Sequence, residues 1–180
     1  MRIVVSGTHA SGKSTLLADF AGRHPDFEVF DDPYELLDAA PAEADAATFT
    51  TQFAISAARL RQHDGGHLIA ERGPLDFLAY LEALARLGRG AVDRATTRQL
   101  FLDTSAAMDE VDVLVLLPLN GRDHIEIADE EDPELRQAMN DILIELADDP
   151  DLIGGATVVE IVGDPAARVR RLEAALASLW

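Results

Sequence analysis

The sequence predicts an α/β protein in three layers, a five-stranded parallel sheet with helices on both faces. Two observations carry this. Short apolar runs rich in Val and Ile alternate five times with longer stretches whose apolar residues recur at helical spacing. The fourth run, "VDVLVLL", is apolar at nearly every position, as a strand covered on both faces must be. Such alternation makes the strands parallel, and right-handed crossovers with short connections leave few topologies open. A chain of 180 residues is long enough to bury one core, so residues 1–180 read as a single domain.

The elements follow in order. Residues 2–6 (RIVVS) form the first predicted strand. Residues 13–23 are helical, with Leu16, Leu17 and Phe20 at helical spacing. Residues 27–30 (FEVF) are a second strand. Helices are predicted at 33–39 and 44–62, the second rich in alanine, and "HDGG" breaks the chain after it. Residues 67–70 (HLIA) make the third strand. A helix at 74–87 opens with Pro74, tolerated in a first turn because that N–H has no intrahelical partner. "LGRG" ends it, and 91–108 is helical again. The fourth strand spans 111–117, a helix 133–147, the fifth strand 157–162 (TVVEIV) and a closing amphipathic helix 165–179.

Composition narrows the function. The net charge of −18 repels nucleic-acid backbones and anionic membranes. A small phosphorylated ligand stays open, because a local nest of N–H groups outweighs the global field at short range. There is no cysteine, hence no disulfide and no thiolate chemistry. No secretory pattern or membrane-length apolar run is read, so the expected compartment is the cytoplasm. Oligomeric state stays open, with a homodimer as one option.

The chemistry begins at "VVSGTHASGKSTLL". Gly7-Thr8-His9-Ala10-Ser11-Gly12-Lys13-Ser14 matches G-x-x-x-x-G-K-[ST], between a predicted strand and a predicted helix. This is a phosphate-binding loop, or P-loop. Gly7 and Gly12 permit backbone shapes that a Cβ would obstruct. The loop residues, His9, Ala10 and Ser11 among them, turn N–H groups toward phosphate oxygens at the positive end of the helix. Lys13 reaches the β and γ phosphates, Ser14 coordinates Mg²⁺, and Thr15 adds a hydrogen bond. Lys13 is the only lysine among 15 basic residues. Its compact ammonium fits the curl of the loop where a forked guanidinium would not. The expected cofactors are therefore ATP and Mg²⁺.

Four further stretches are candidates. In "HLIAERGPLD", Glu71 and Arg72 end the third strand, where open α/β sheets bind ligands. Glu71 can hold Mg²⁺ and Arg72 can neutralise charge on a transferred phosphoryl group; the alternative is a surface ion pair. In "FEVFDDPYELL", Asp32 is a candidate base for an acceptor hydroxyl, or else an ordinary helix cap. "LPLNGRDHIEIADEEDPELR" reads as a lid over 119–137 that brings Arg122 to the phosphates; Arg136 is left open. In "IVGDPAARV", Gly163, Asp164 and Pro165 form a turn against which a nucleotide base could lie, or a plain turn and cap. The other histidines, His24, His63, His67 and His124, do not cluster as metal ligands.

Together these residues resemble the P-loop nucleoside and nucleotide kinases. "ERGPLDFLAYL" resembles the Asp/Glu-Arg-Ser motif of deoxyribonucleoside kinases and the Asp-Arg of thymidylate kinases. It is similar, too, to small bacterial AAA-named ATPases reading "DRGPLD", including ribosylnicotinamide-kinase-like domains. The resemblance implies strand order 2-3-1-4-5 and a base at Asp32, where Asp32-Pro33 stands for the kinases' Glu-Pro. It implies lid arginines at Arg122 and Arg136 and an adenine-binding turn at 163–165. Departures are Gly73 in place of Ser, a base one methylene shorter, and no aromatic at the usual spacing, with Tyr34 and Phe53 as substitutes to line a pocket. The Walker B and second arginine region of ring-forming AAA+ motors are not found. The expected function is an ATP-dependent small-molecule kinase acting on a nucleoside, nucleotide or similar acceptor. The alternative is an NTPase or nucleotide-sensing module without a small-molecule acceptor.

Overall fold

The computed structural model describes residues 1–36, 45–120 and 132–179. Five strands pair in parallel: β1 (Arg2–Ser6), β2 (Phe27–Phe30), β3 (His67–Glu71), β4 (Val113–Leu116) and β5 (Thr157–Glu160). Their order is β2-β3-β1-β4-β5, as the kinase resemblance implies. Central β1 pairs Val5 with Glu71 on one side and with Val115 on the other. The ends of β1 and β3 thus lie side by side, and Ser6 leads straight into the P-loop.

The helices are α1 (Lys13–Ala21), α2 (Ala46–Gln62), α3 (Pro74–Arg86), α4 (Arg94–Met108), α5 (Pro133–Ala147), one-turn α6 (Pro150–Ile153) and α7 (Pro165–Ala177). Side chains alternate along a strand, so each strand feeds two cores. Ile3, Val5, Val113 and Val115 pack with Leu16, Phe20 and Leu172 beneath α1 and α7. Val4, Leu68, Leu114 and Leu116 pack with Phe53, Leu78 and Met139 beneath α2, α3 and α5. Each fully buried Leu or Phe contributes about 1.5–3 kcal/mol. Helix α3 packs against both α2 and α5, and every residue from Glu71 to Leu81 is buried. That is why "PLDFLAYL" shows no polar face.

The boundaries differ from the sequence reading for local reasons. The helix predicted at 91–108 begins only at Arg94, because Asp93 caps it by accepting from the N–H of Ala95 and Thr96. The segment after β2 is a 3-10 turn, Pro33–Leu36, and the rest of the helix predicted there lies outside the described residues. Both β4 and β5 are shorter than predicted, while β3 extends to Glu71. Helix α6 was not expected; Asp149 caps it through the N–H of Asp151, and Pro150 starts it. Among the described residues, no helix is long and apolar enough to cross a membrane.

Candidate functional site

The P-loop curls tightly. A Cβ on Gly7 would stand 2.6 Å from Ser11 Oγ and 2.9 Å from the Leu117 carbonyl, so only glycine fits. Gly12 caps α1 in the left-handed region at φ 88°, and Ala10 is left-handed at φ 48°. Lys13 is buried, with Nζ donating to the Thr8 carbonyl at 2.9 Å and standing 3.8 Å from Glu71 Oε1. Ser14 Oγ donates to the same Glu71 oxygen at 3.1 Å. Burial, then the nearby Arg72 charge, lowers the Lys13 pKa to about 8 against the pull of Glu71. Burial raises the Glu71 pKa, with Lys13 and Ser14 opposing. A strand-end carboxylate and a hydroxyl at this separation are hard oxygen donors of the kind Mg²⁺ takes alongside phosphates and water. The residues fit the ion.

Arg72 is the hub of the other half. It is buried and left-handed at φ 64°, a backbone state that costs about 1 kcal/mol or more. Its Nε donates to Asp32 Oδ2 at 2.7 Å, and its Nη1 to the Gly7 carbonyl at 3.1 Å. Its guanidinium carbon lies 5.3 Å from the centre of the Tyr80 ring, which stacks on Phe49. Asp32 Oδ1 also accepts from the Tyr34 N–H at 3.0 Å, as a capping Asp at the start of the 3-10 turn does. Burial works to raise the Asp32 pKa, but Arg72 and the Tyr34 N–H outweigh it and hold the carboxyl below its ordinary value. His9 Nδ1 stands 3.5 Å from Arg72 Nη2. Crowding in the cleft and the charges of Arg72 and Lys13 push its pKa down, although the residue keeps an exposed surface.

The structure brings most predicted residues to one cavity of about 310 Å³, lined by the loop from His9 to Thr15 with Asp32, Glu71 and Arg72. Gly7 stands behind the loop. Gly163, Asp164 and Pro165 form the turn into α7, with Asp164 accepting from the Ala167 N–H, and they do not line this cavity. Tyr34 is exposed and Phe53 sits in the core; neither lines it. Arg122 and most of the predicted lid lie outside the described residues. Arg136, left open, projects from α5 to the loop carbonyls of His9 (2.8 Å) and Ala10 (3.2 Å).

Two residues were missed. Asp76 is fully buried and accepts from Ser6 Oγ (2.5 Å), the Gly7 N–H (3.0 Å) and the Gly73 N–H (3.0 Å), tying β1, the loop and α3 together. The signal was present as the Asp of "ERGPLD", two residues into the helix that follows the strand end. Arg168 of α7 is buried and reaches the Ser11 carbonyl at 2.5 Å. Its place four and eight residues before Leu172 and Leu176, on the apolar stripe of α7, separates it from Arg170 and Arg171 and was the signal available.

The strand order and the loop define a P-loop protein with a nucleotide-kinase-like fold. The chain belongs to the AAA domain family, whose model matches residues 2–168. The fold is similar to deoxyadenosine kinase from M. mycoides, solved with dCMP and a flexible dCDP (TM-score 0.69, 15% identity, 99% of this chain and 100% of that one). It is also similar to thymidylate kinase from Candida albicans (TM-score 0.68, 16% identity, 99% and 91%). A third likeness is to the NadR protein in complex with NR (TM-score 0.67, 16% identity, 98% and 50%). Among curated proteins, none matches this sequence.

Proposed function

We propose that the chain is an ATP-dependent kinase that moves the γ-phosphoryl group of ATP to a nucleoside, nucleotide or similar small acceptor bearing a hydroxyl or phosphate. One observation carries this reading: the P-loop, the Ser14–Glu71 pair and the Asp32–Arg72 pair border a single cavity. The loop N–H groups and Lys13 hold the phosphates. Ser14 and Glu71 would hold Mg²⁺, which would supply charge neutralisation for the phosphates when bound. Arg72 faces the transferred group, and Asp32 takes the proton from an acceptor hydroxyl. The turn at 163–165 receives the adenine. The likeness to kinases in fold supports the reading.

One observation favours a second reading. Asp32 is tied to Arg72 at 2.7 Å and its pKa is held down, so it is a weak base. That suits an NTPase or a nucleotide sensor without a small-molecule acceptor. A screen decides: the protein with ATP and Mg²⁺ is offered nucleosides, nucleotides, vitamins and sugars, and products are read by mass spectrometry. Gain of one phosphoryl group on a panel member supports the kinase. ATP consumed with no phosphorylated product in any class supports the second reading, and an unconsumed, unbound ATP defeats both.

A further inference from the structure

Five consecutive carbonyls of the P-loop, Gly7 to Ser11, accept from cationic side chains. Arg72 reaches Gly7 at 3.1 Å and Lys13 reaches Thr8 at 2.9 Å. Arg136 reaches His9 at 2.8 Å and Ala10 at 3.2 Å, and Arg168 reaches Ser11 at 2.5 Å. The four cations come from the end of β3, from α1, from α5 and from α7. In a trans peptide, the C=O of one residue and the N–H of the next point in opposite directions. No cis peptide occurs among the described residues. The carbonyls of His9, Ala10 and Ser11, held by Arg136 and Arg168 away from the cavity, therefore turn the N–H groups of Ala10, Ser11 and Gly12 to the inner side of the curl. That side lines the cavity.

Arg168 differs from the other three cations. Lys13 and Arg72 line the cavity, and Arg136 is half-buried, whereas Arg168 is 4% exposed and stands behind the loop. Its Nε donates to the Gly163 carbonyl at 2.7 Å, so one guanidinium bridges the crest of the loop and the turn after β5. Its neighbours on the inward face of α7 are Val169, Leu172 and Leu176. An aliphatic side chain would pack there without the cost of burying a charge, which only well-used donors offset.

Resting on the reading of the loop as a nucleotide site, we propose that Arg168 is a positioning residue. It holds the P-loop in its anion-binding curl before any ligand arrives, and it locks that curl to the Gly163 turn. A loop formed only part of the time binds more weakly by the fraction of time it is formed. Loss of charge-assisted hydrogen bonds of this kind corresponds to about 10- to 100-fold in affinity.

The test compares the full chain with Arg168→Met, which keeps an unbranched stem and no donors, and Arg168→Lys, which keeps the charge but loses the rigid fork whose separate nitrogens serve the two carbonyls. Backbone ¹⁵N relaxation reads the ligand-free loop. Calorimetry reads affinity for ATP·Mg²⁺ and for inorganic tripolyphosphate, and thermal melting reads the fold. In Arg168→Met the order parameters of Thr8 to Gly12 drop from about 0.85 to below about 0.6 while those of β1, β3 and β4 hold. Tripolyphosphate affinity falls about 10- to 100-fold, and ATP affinity at least as far. Arg168→Lys recovers only a minor part of the loss. An ordered loop in a folded Arg168→Met protein overturns the proposal, as does a lowered melting point with unchanged affinities. Full recovery by Arg168→Lys overturns it too, since charge alone would then suffice. If Arg168→Met does not fold, the same shifts are required of Arg168→Lys, and their absence is decisive. A wild-type chain that binds neither probe defeats the nucleotide reading, while relaxation of the ligand-free loop still decides the positioning role.

Discussion

Asp76→Asn is the substitution whose effect the structure determines most closely. Asp76 offers two oxygens to three donors: Oδ1 accepts from Gly7 N–H, and Oδ2 from Ser6 Oγ and Gly73 N–H. An asparagine keeps one oxygen. With that oxygen in the Oδ2 position, its NH₂ group faces the Gly7 N–H, and one buried donor is orphaned at about 1–3 kcal/mol. The flipped amide orphans the Gly73 N–H instead, and Ser6 must turn its hydroxyl. The retained bonds also weaken, because the acceptor is no longer charged. Relief from burying a carboxylate offsets part of this; burial pushes the Asp76 pKa up, against Arg72 and the three donors. The net loss is about 2–4 kcal/mol, and at about 2–4 °C per kcal/mol for this size the melting point falls by about 5–15 °C. Differential scanning calorimetry measures it, with urea unfolding as a second probe. A loss below about 0.5 kcal/mol would mean that Asp76 holds nothing together, and the account of the loop's base would be wrong.

Three further outcomes are expected. Glu71→Gln keeps shape and removes charge, so activity should need several-fold more Mg²⁺ with the fold unchanged; a wild-type Mg²⁺ titration would reduce Glu71 to a partner of Ser14. Asp32→Asn should slow transfer by about 10²–10⁴-fold in kcat with ATP affinity nearly constant, and a rate within a few-fold of wild type in steady-state assays would remove the base role. The Lys13 pKa is lowered to about 8, so the ligand-free lysine loses its proton as pH rises through that value, whereas bound phosphates favour the ammonium. ATP affinity should thus fall above pH 8, and calorimetry near pH 9 in buffers of different ionisation enthalpy should detect proton uptake on binding. Equal affinity and no uptake across that range would contradict the environment drawn for Lys13.

Much of this was legible before any coordinates. Periodicity found all five strands because both cores draw on the same alternating strands, and Val4 and Val5 show that alternation on β1. The P-loop was legible because its chemistry needs consecutive residues. Glu71 and Arg72 followed from the rule that ligands sit at strand ends. The rest was long-range. Asp76 accepts locally from the Gly73 N–H, but its bonds to Ser6 and Gly7 span about seventy residues and exist only once β1 and α3 pack. Arg136 and Arg168 were two arginines among fourteen; periodicity puts Arg168 on the apolar stripe of α7, but only the docking of α5 and α7 shows what the two reach. Phe53 was expected at a pocket because aromatics serve both as core and as platform; here the core took it.

The unbroken burial from Glu71 to Leu81 has a bearing on how this protein can change. Glu71, Arg72, Asp76 and Tyr80 stand in the same stretch as Leu75, Phe77 and Leu78, so residues proposed to act at the site and core residues share one segment of chain. A Cβ on Gly73 within it would come 2.9 Å from Val4 Cγ1. Random substitution across this stretch should therefore empty the soluble fraction before it reveals which residues act on a ligand. Variation that shifts activity without loss of protein must enter from elsewhere around the cavity, such as Ser14 and Thr15, both exposed on the first turn of α1. A mutational scan of abundance beside activity would find the two maps superimposed along 71–81 and separable around the P-loop.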